Sequence, residues 1–151
     1  MLRDVPEIYS FCFLSYSRTS LLQYGDWNVE SQVGVQQSDP IGPLLFCLTI
    51  QPLLGSLRST LKAGYLDDIT LGGPAQIVAA DVHTVLREGQ DLGLNLNVGK
   101  CEMIRGRFSG SLDPTVASFI TVDPSAAVLL GAPISTGASM DNAHLIKVLP
   151  Q

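Results

Sequence analysis

Two spacings of apolar residues alternate along this chain. Repeats of three and four residues predict helices over residues 6–17, 40–61 and 74–92, because each then has an apolar face. In the third of these helices, Asp81 is expected on the solvent-facing side with the other charged residues. A further short helix is predicted over residues 140–149.

Short segments of alternating or continuous apolar residues lie between the helices and predict strands. They cover residues 20–24, 27–35, both flanks of the Leu66–Asp68 turn, 94–97, 101–104, 119–122 and 127–132. The pattern predicts an α+β fold, an antiparallel sheet with two long helices on one face. At 151 residues, a single domain over residues 1–151 is expected.

Composition and charge favour a globular protein over a disordered, membrane-spanning or strongly basic one. Hydrophobic residues make up 46% and charged residues 15%, as in a globular chain, and the formal net charge of −5 argues against a free-standing nucleic-acid binder. The longest apolar run, residues 41–50, is too short to span a bilayer. Three widely separated cysteines indicate a reducing compartment. A soluble intracellular protein is expected, with nucleus and cytoplasm not distinguished.

The segment Ala63–Gly73 places two adjacent carboxylates, Asp67 and Asp68, at a tight turn between apolar runs. Two carboxylates about 4 Å apart repel by about 4 kcal/mol near a protein surface, and a bound Mg²⁺ or Mn²⁺ would reverse that penalty. A solvated acidic turn is the alternative, since Asp is common in turns. The two carboxylates alone leave both interpretations open.

Four segments in order resemble the conserved motifs of reverse transcriptases. They are Gly34–Phe46 (GVQQSDPIGPLLF, motif B), Tyr65–Asp68 (YLDD, motif C), Leu92–Cys101 (LGLNLNVGKC, motif D) and Val128–Ile134 (VLLGAPI, motif E). Their order and spacing are similar to the palm subdomain of these enzymes, especially those of non-LTR retrotransposons. The resemblance covers roughly residues 4–135.

The resemblance implies RNA-directed DNA polymerase activity, with an RNA template, a DNA primer and dNTP as partners and Mg²⁺ or Mn²⁺ as cofactor. Asp67 and Asp68 would hold the metal, and Lys100 would stabilise or protonate the departing pyrophosphate. The family's contacts to template and nucleotide would fall on Gln37, Pro40, Gly42 and Tyr65, and its primer grip on Leu130 and Gly131. From the residues alone, Tyr65 could equally be a core aromatic and Lys100 a surface lysine.

The chain also departs from the family. No segment before residue 30 reads as the strand that carries the motif A aspartate, and Ser38 stands where the family usually has glycine. Basic fingers and a thumb are missing as well. A partial palm is therefore expected, inactive as an isolated chain, with an open sheet edge beside the acidic hairpin that a missing strand or partner could fill.

A non-enzymatic binding or structural module derived from such an element is the alternative to a polymerase fragment.

His83 and His144 have no partner at metal-ligand spacing, and both are expected to be solvated or structural rather than ligands.

Overall fold

The computed structural model describes residues 5–32, 34–36, 39–106, 110–130, 132–134 and 144–148. It has the α+β class that the sequence predicts. The residues cluster into two compact units, Met1–Thr49 and Ile50–Gln151. This clustering leaves the single-domain assignment a prediction.

The first unit contains a short helix and a hairpin. A 3₁₀ turn at Pro6–Ile8 continues into helix α1, Tyr9–Tyr16. Strands β1 (Ser20–Tyr24) and β2 (Trp27–Ser31) then pair antiparallel through a two-residue turn. Gly25 begins that turn at a φ of 59°, a conformation that glycine adopts without steric cost. Strand β2 is shorter than the predicted 27–35.

The second unit is built on a five-stranded sheet. Helix α2 (Gly42–Ser56) contributes residues to both units, and α3 (Ala75–Asp91) lies within the second. The strands are β3 (Leu61–Tyr65), β4 (Asp68–Gly73), β5 (Glu102–Ile104), β6 (Ile120–Val122) and β9 (His144–Val148), in the order β3-β4-β9-β5-β6. A short helix α4 (Pro114–Ala117) and a small hairpin of β7 (Val128–Leu129) and β8 (Ala132–Pro133) complete the unit.

Strand β9 overturns one prediction. His144–Val148 is a strand, not part of a helix, and it pairs antiparallel with both β4 and β5. It covers the β4 side of the acidic hairpin, whereas β3 is the last strand of the sheet in the described residues, so the open edge predicted beside the hairpin stays a prediction. The helix prediction failed because a five-residue segment takes its structure from the backbone groups available to it, and here two strands offer unpaired edges.

The sheet differs from the prediction in two smaller respects. Strand β6 runs parallel to β5, so the sheet is mixed rather than wholly antiparallel. Residues 94–97, predicted as a strand, carry only an isolated bridge at Leu96. The end of α3 agrees with its sequence signal: Gly93 has a φ of 76°, and the Leu94 N–H donates to the Gly89 carbonyl at 2.9 Å.

One continuous apolar core lies between the helices and the sheet of the second unit. Leu71 of β4 is completely buried there, and both long helices reach the same core. The buried members are Leu53 of α2, Leu57 just after it, Val78, Ala79, Val82 and Val85 of α3, Ile69 and Leu71 of β4, with Cys101, Met103, Val116 and Phe119. The predicted placement of two long helices against one face of the sheet agrees with this core.

The sequence predicted Asp81 on the solvent-facing side of α3, and this prediction is wrong. Only 3% of Asp81 is exposed. Its carboxylate accepts hydrogen bonds from the Arg58 N–H at 2.9 Å, the Ser59 N–H at 2.6 Å and the Ser59 hydroxyl at 2.6 Å. These groups follow the end of α2 and precede β3, where helix and sheet provide no backbone acceptor. The buried carboxylate satisfies them and anchors the start of β3.

Candidate functional site

The acidic hairpin turns over two residues, Leu66 and Asp67, and closes on the pair Tyr65 and Asp68. Leu66 has a φ of 53°, in the left-handed region. For a residue with a β-carbon this conformation costs about 1–2 kcal/mol, so the turn is strained next to the first aspartate. Strain of this kind concentrates at functional sites and makes the turn a candidate.

Asp68 and Tyr65 face away from the core. Directly paired residues of an antiparallel ladder point to the same face, and neighbours along a strand point to opposite faces. Since Ile69 is buried in the core, its neighbour Asp68 and the paired Tyr65 lie on the outer face of the sheet. There they line an open groove with a volume of about 690 Å³.

A second carboxylate, Glu102, lines the same groove from β5. Cys101 and Met103 are buried on the opposite side of the strand, which turns Glu102 outward. The backbone of β9 lies between the two acidic strands, with Lys147 aligned with both Thr70 and Glu102. Among the residues that the structure describes, the lining consists of Tyr65, Asp68, Glu102, Val122, Ala126, Val128 and Leu130.

Glu102 was not among the residues predicted to form the site. The alternation over residues 101–104 predicted only that this segment is a strand. The position of β5 relative to the acidic hairpin was not visible, because it depends on the pairing with β9.

The predicted catalytic residues are not all at the groove. Asp67 is exposed at the turn, and Lys100 is exposed at the end of the 3₁₀ turn Val98–Lys100 before β5. Neither residue is part of the groove lining, whereas Asp68 is. The structure thus brings Asp68 and Tyr65 to one surface with Glu102, and leaves Asp67 and Lys100 outside the lining of the groove.

The predicted primer-grip segment forms the hairpin β7–β8. Leu130 stands at its turn with a φ of 51° and lines the groove. Gly131 lies outside the described residues. Both hairpins that border the groove therefore have a leucine in the left-handed conformation at the turn.

The donor chemistry of the groove suits a hard cation, since its acidic groups are carboxylates. Among the residues that the structure describes, however, no three His, Cys, Asp or Glu side chains are grouped so that they could hold a metal ion. The described residues of the groove therefore do not make a complete metal centre.

The motif B segment belongs to the first unit. Gln37 lies outside the described residues, Pro40 is exposed and Gly42 is buried. A β-carbon on Gly42 would stand 3.3 Å from the Gln36 carbonyl oxygen. Glycine at this position therefore lets the preceding loop pack closely against the start of α2. The predicted contacts of Pro40 and Gly42 with template or nucleotide remain predictions.

Asp39 orders the same loop. Its carboxylate accepts a hydrogen bond from the Tyr16 hydroxyl and another, at 3.0 Å, from the Ile41 N–H just before α2. The Tyr16 bond and then the Ile41 bond lower the pKa of Asp39. The pKa of Tyr16 is raised, by burial and by the carboxylate it binds. Asp39 thus connects Tyr16, the last residue of α1, to the loop that precedes α2.

A second cleft, of about 330 Å³, lies along α3 and contains His83. The sequence showed no partner for His83 at metal-ligand spacing, and in the structure its Nε2 atom lies 3.1 Å from Asp113 Oδ2, thirty residues away. The hydrogen bond from His83 lowers the pKa of Asp113, whose other oxygen accepts from the Thr115 N–H at 2.9 Å and caps α4. The pair joins α3 to α4, which agrees with a structural role for the histidine. His144 has only its backbone described.

No protein-family model matches the chain, and comparison with curated proteins and with solved structures gave no significant match. Within the described parts of the chain, no helix combines the length and the apolar content that crossing a membrane requires. The functional assignment is therefore drawn from the residues and the geometry above.

Proposed function

We propose that this chain is a partial palm of a reverse transcriptase of the non-LTR retrotransposon type, whose parent activity is RNA-directed DNA polymerisation. The observation that carries the proposal is the acidic hairpin. The sequence Tyr65-Leu66-Asp67-Asp68 forms a strained two-residue turn, and Asp68 faces an open groove. Three further segments in family order support the same assignment.

The groove has features that suit a nucleotide or a primer end. Tyr65 is exposed and offers a ring next to Asp68, while Val128 and Leu130 give an apolar wall. An aromatic ring can stack against a base, and a base edge tolerates an apolar wall. In the parent reaction, Mg²⁺ or Mn²⁺ would neutralise the phosphate charge. Asp67 and Asp68 are the side chains proposed to hold the metal.

We infer that the isolated chain does not polymerise, because the family's metal site takes a third aspartate that has no identified counterpart here. The test is extension of a DNA primer on an RNA template with Mg²⁺ or Mn²⁺. The wild-type chain is expected to give no more product than Asp67→Asn. Metal-dependent extension that is lost in Asp67→Asn would refute the inactivity.

The site itself is tested separately by Mn²⁺ binding, followed by electron paramagnetic resonance. Asp67→Asn and Asp68→Asn are expected to weaken binding. Asp26→Asn is the matched control, since Asp26 holds the same position in the β1–β2 turn, and it should leave binding unchanged. Equal binding by all four proteins would contradict the metal-site proposal.

The second candidate is a non-enzymatic binding module. It is favoured by the described part of the groove lining, in which five of seven residues, all but Asp68 and Glu102, carry no charge. Such a module would be indifferent to divalent cations. Thermal unfolding with Mn²⁺ and with a chelator separates the candidates: an unchanged Tm, equal in wild type and Asp67→Asn, supports the module, and a metal-dependent rise confined to wild type supports the palm.

A further inference from the structure

The β1–β2 hairpin has one apolar face whose four side chains are each more than half exposed. Its register pairs Leu22 with Val29 and Tyr24 with Trp27, and directly paired side chains share a face. Tyr24 is 80% exposed and Trp27 is 75% exposed, while Leu22 and Val29 are each 52% exposed. We call these four residues the aromatic face.

The opposite face of the hairpin is different in character. It carries the pairs Leu21–Glu30 and Gln23–Asn28, so three of its four side chains are polar. A sheet with one apolar and one polar face normally covers the apolar face with a second layer. The one-sided pattern of residues 20–31, all of which the structure describes, therefore indicates an interface.

We propose that the aromatic face is the contact surface between two copies of this chain. The first argument is its charge. The aromatic face carries no charged side chain, and the charged residues of the hairpin, Asp26 at the turn and Glu30 on the other face, are both acidic. A nucleic acid would be repelled by these groups, whereas a second aromatic face meets no charge when the two are pressed together.

The second argument is area. The exposed parts of the two aromatic side chains offer roughly 250–350 Å², and those of Leu22 and Val29 add about 150 Å². Two copies face to face would therefore bury at most about 800–1,000 Å², less than a stable specific interface and in the range of weak, transient contacts. A two-fold arrangement lets Trp27 of each copy cover Leu22 of the other, as an isologous contact requires. The predicted complex is a weak dimer.

The chain has a built-in probe of this contact. Trp27 is its single tryptophan, so the fluorescence emission reports on the aromatic face alone. Between ~1 and ~100 μM protein, the emission is expected to move to shorter wavelength while sedimentation equilibrium shows dimer forming. Both changes should follow the same concentration dependence.

Two variants separate the faces. Leu22→Ser removes an apolar side chain from each copy's aromatic face and should raise the dimer Kd about tenfold. Leu21→Ser is the matched control, because it is the same change one residue earlier on the opposite face, and it should leave Kd within about twofold. Val29→Thr, which keeps the side-chain shape, repeats the test should Leu22→Ser fail to fold by circular dichroism.

Several results would overturn the proposal. One is a monomer with constant Trp27 emission over the whole concentration range. Another is a dimer that Leu21→Ser weakens as much as Leu22→Ser does, since that would indicate pairing along a strand edge. A dimer indifferent to both Leu22→Ser and Val29→Thr would place the contact elsewhere on the chain.

Discussion

The β1–β2 and β3–β4 hairpins have nearly the same turn and different surroundings. One reads Tyr24-Gly25-Asp26-Trp27 and the other Tyr65-Leu66-Asp67-Asp68, in each case with a tyrosine closing a two-residue turn whose second residue is aspartate. The first turn residue is left-handed in both, with φ values of 59° and 53°. Local turn chemistry therefore does not distinguish a functional hairpin from an ordinary one.

What distinguishes them is the sheet behind the turn. The residues of β1 and β2 are exposed or half-buried, whereas those of β4 from Ile69 to Gly73 are buried. Strand β4 is paired on both sides, by β3 and β9, and this fixes the face on which Asp68 stands. The second hairpin also closes on a carboxylate where the first closes on Trp27. A rigid support and an outward carboxylate make it the candidate site.

The largest expected difference between the hairpins is in core packing. Leu71→Ala in β4 should lower the free energy of unfolding by about 3–5 kcal/mol, because it opens a cavity at a completely buried position. Leu22→Ala in β1 should change it by less than about 1 kcal/mol. Urea unfolding followed by circular dichroism at low protein concentration measures both. If both variants lost a similar free energy of unfolding, Leu22 would make packing contacts that its exposed fraction does not show.

The anchor of the second hairpin gives the next largest effect. Asp81→Asn keeps the size of the side chain but replaces a charged acceptor of the Arg58 and Ser59 N–H groups with an amide. The free energy of unfolding should fall by about 2–3 kcal/mol. Asp91→Asn, at the exposed end of the same helix, should stay within about 0.5 kcal/mol. A loss below about 1 kcal/mol for Asp81→Asn would mean that solvent replaces the carboxylate.

The smallest effects come from exchanging the first turn residues. Gly25→Leu should destabilise by about 1–2 kcal/mol, through backbone conformation alone, because no heavy atom lies within 4 Å of the added β-carbon. Leu66→Gly should stabilise by up to about 1 kcal/mol, since relief of the left-handed strain exceeds the entropy cost of glycine. The same unfolding assay applies. Destabilisation by Leu66→Gly would show that the leucine side chain packs rather than strains the turn.

The sequence by itself determined the parts whose cause is local. The 3.6-residue period of Val78, Val82 and Val85 specified α3, and Gly93 specified its end, because both signals act within a few residues. The two tight turns were also predictable, from short polar or glycine-containing breaks between apolar runs. The α+β class followed from the order of these elements.

Tertiary structure alone decided which residues share the candidate site. Glu102 and Asp68 are 34 positions apart and line one groove only because β9, from the far end of the chain, lies between their strands. Asp81 became a buried anchor because its carboxylate accepts the N–H groups of Arg58 and Ser59, which lie between the end of α2 and the start of β3. Which strands pair with each other, and which N–H groups a buried carboxylate accepts, depend on backbone groups from distant parts of the chain that need a partner. No local sequence pattern encodes these pairings.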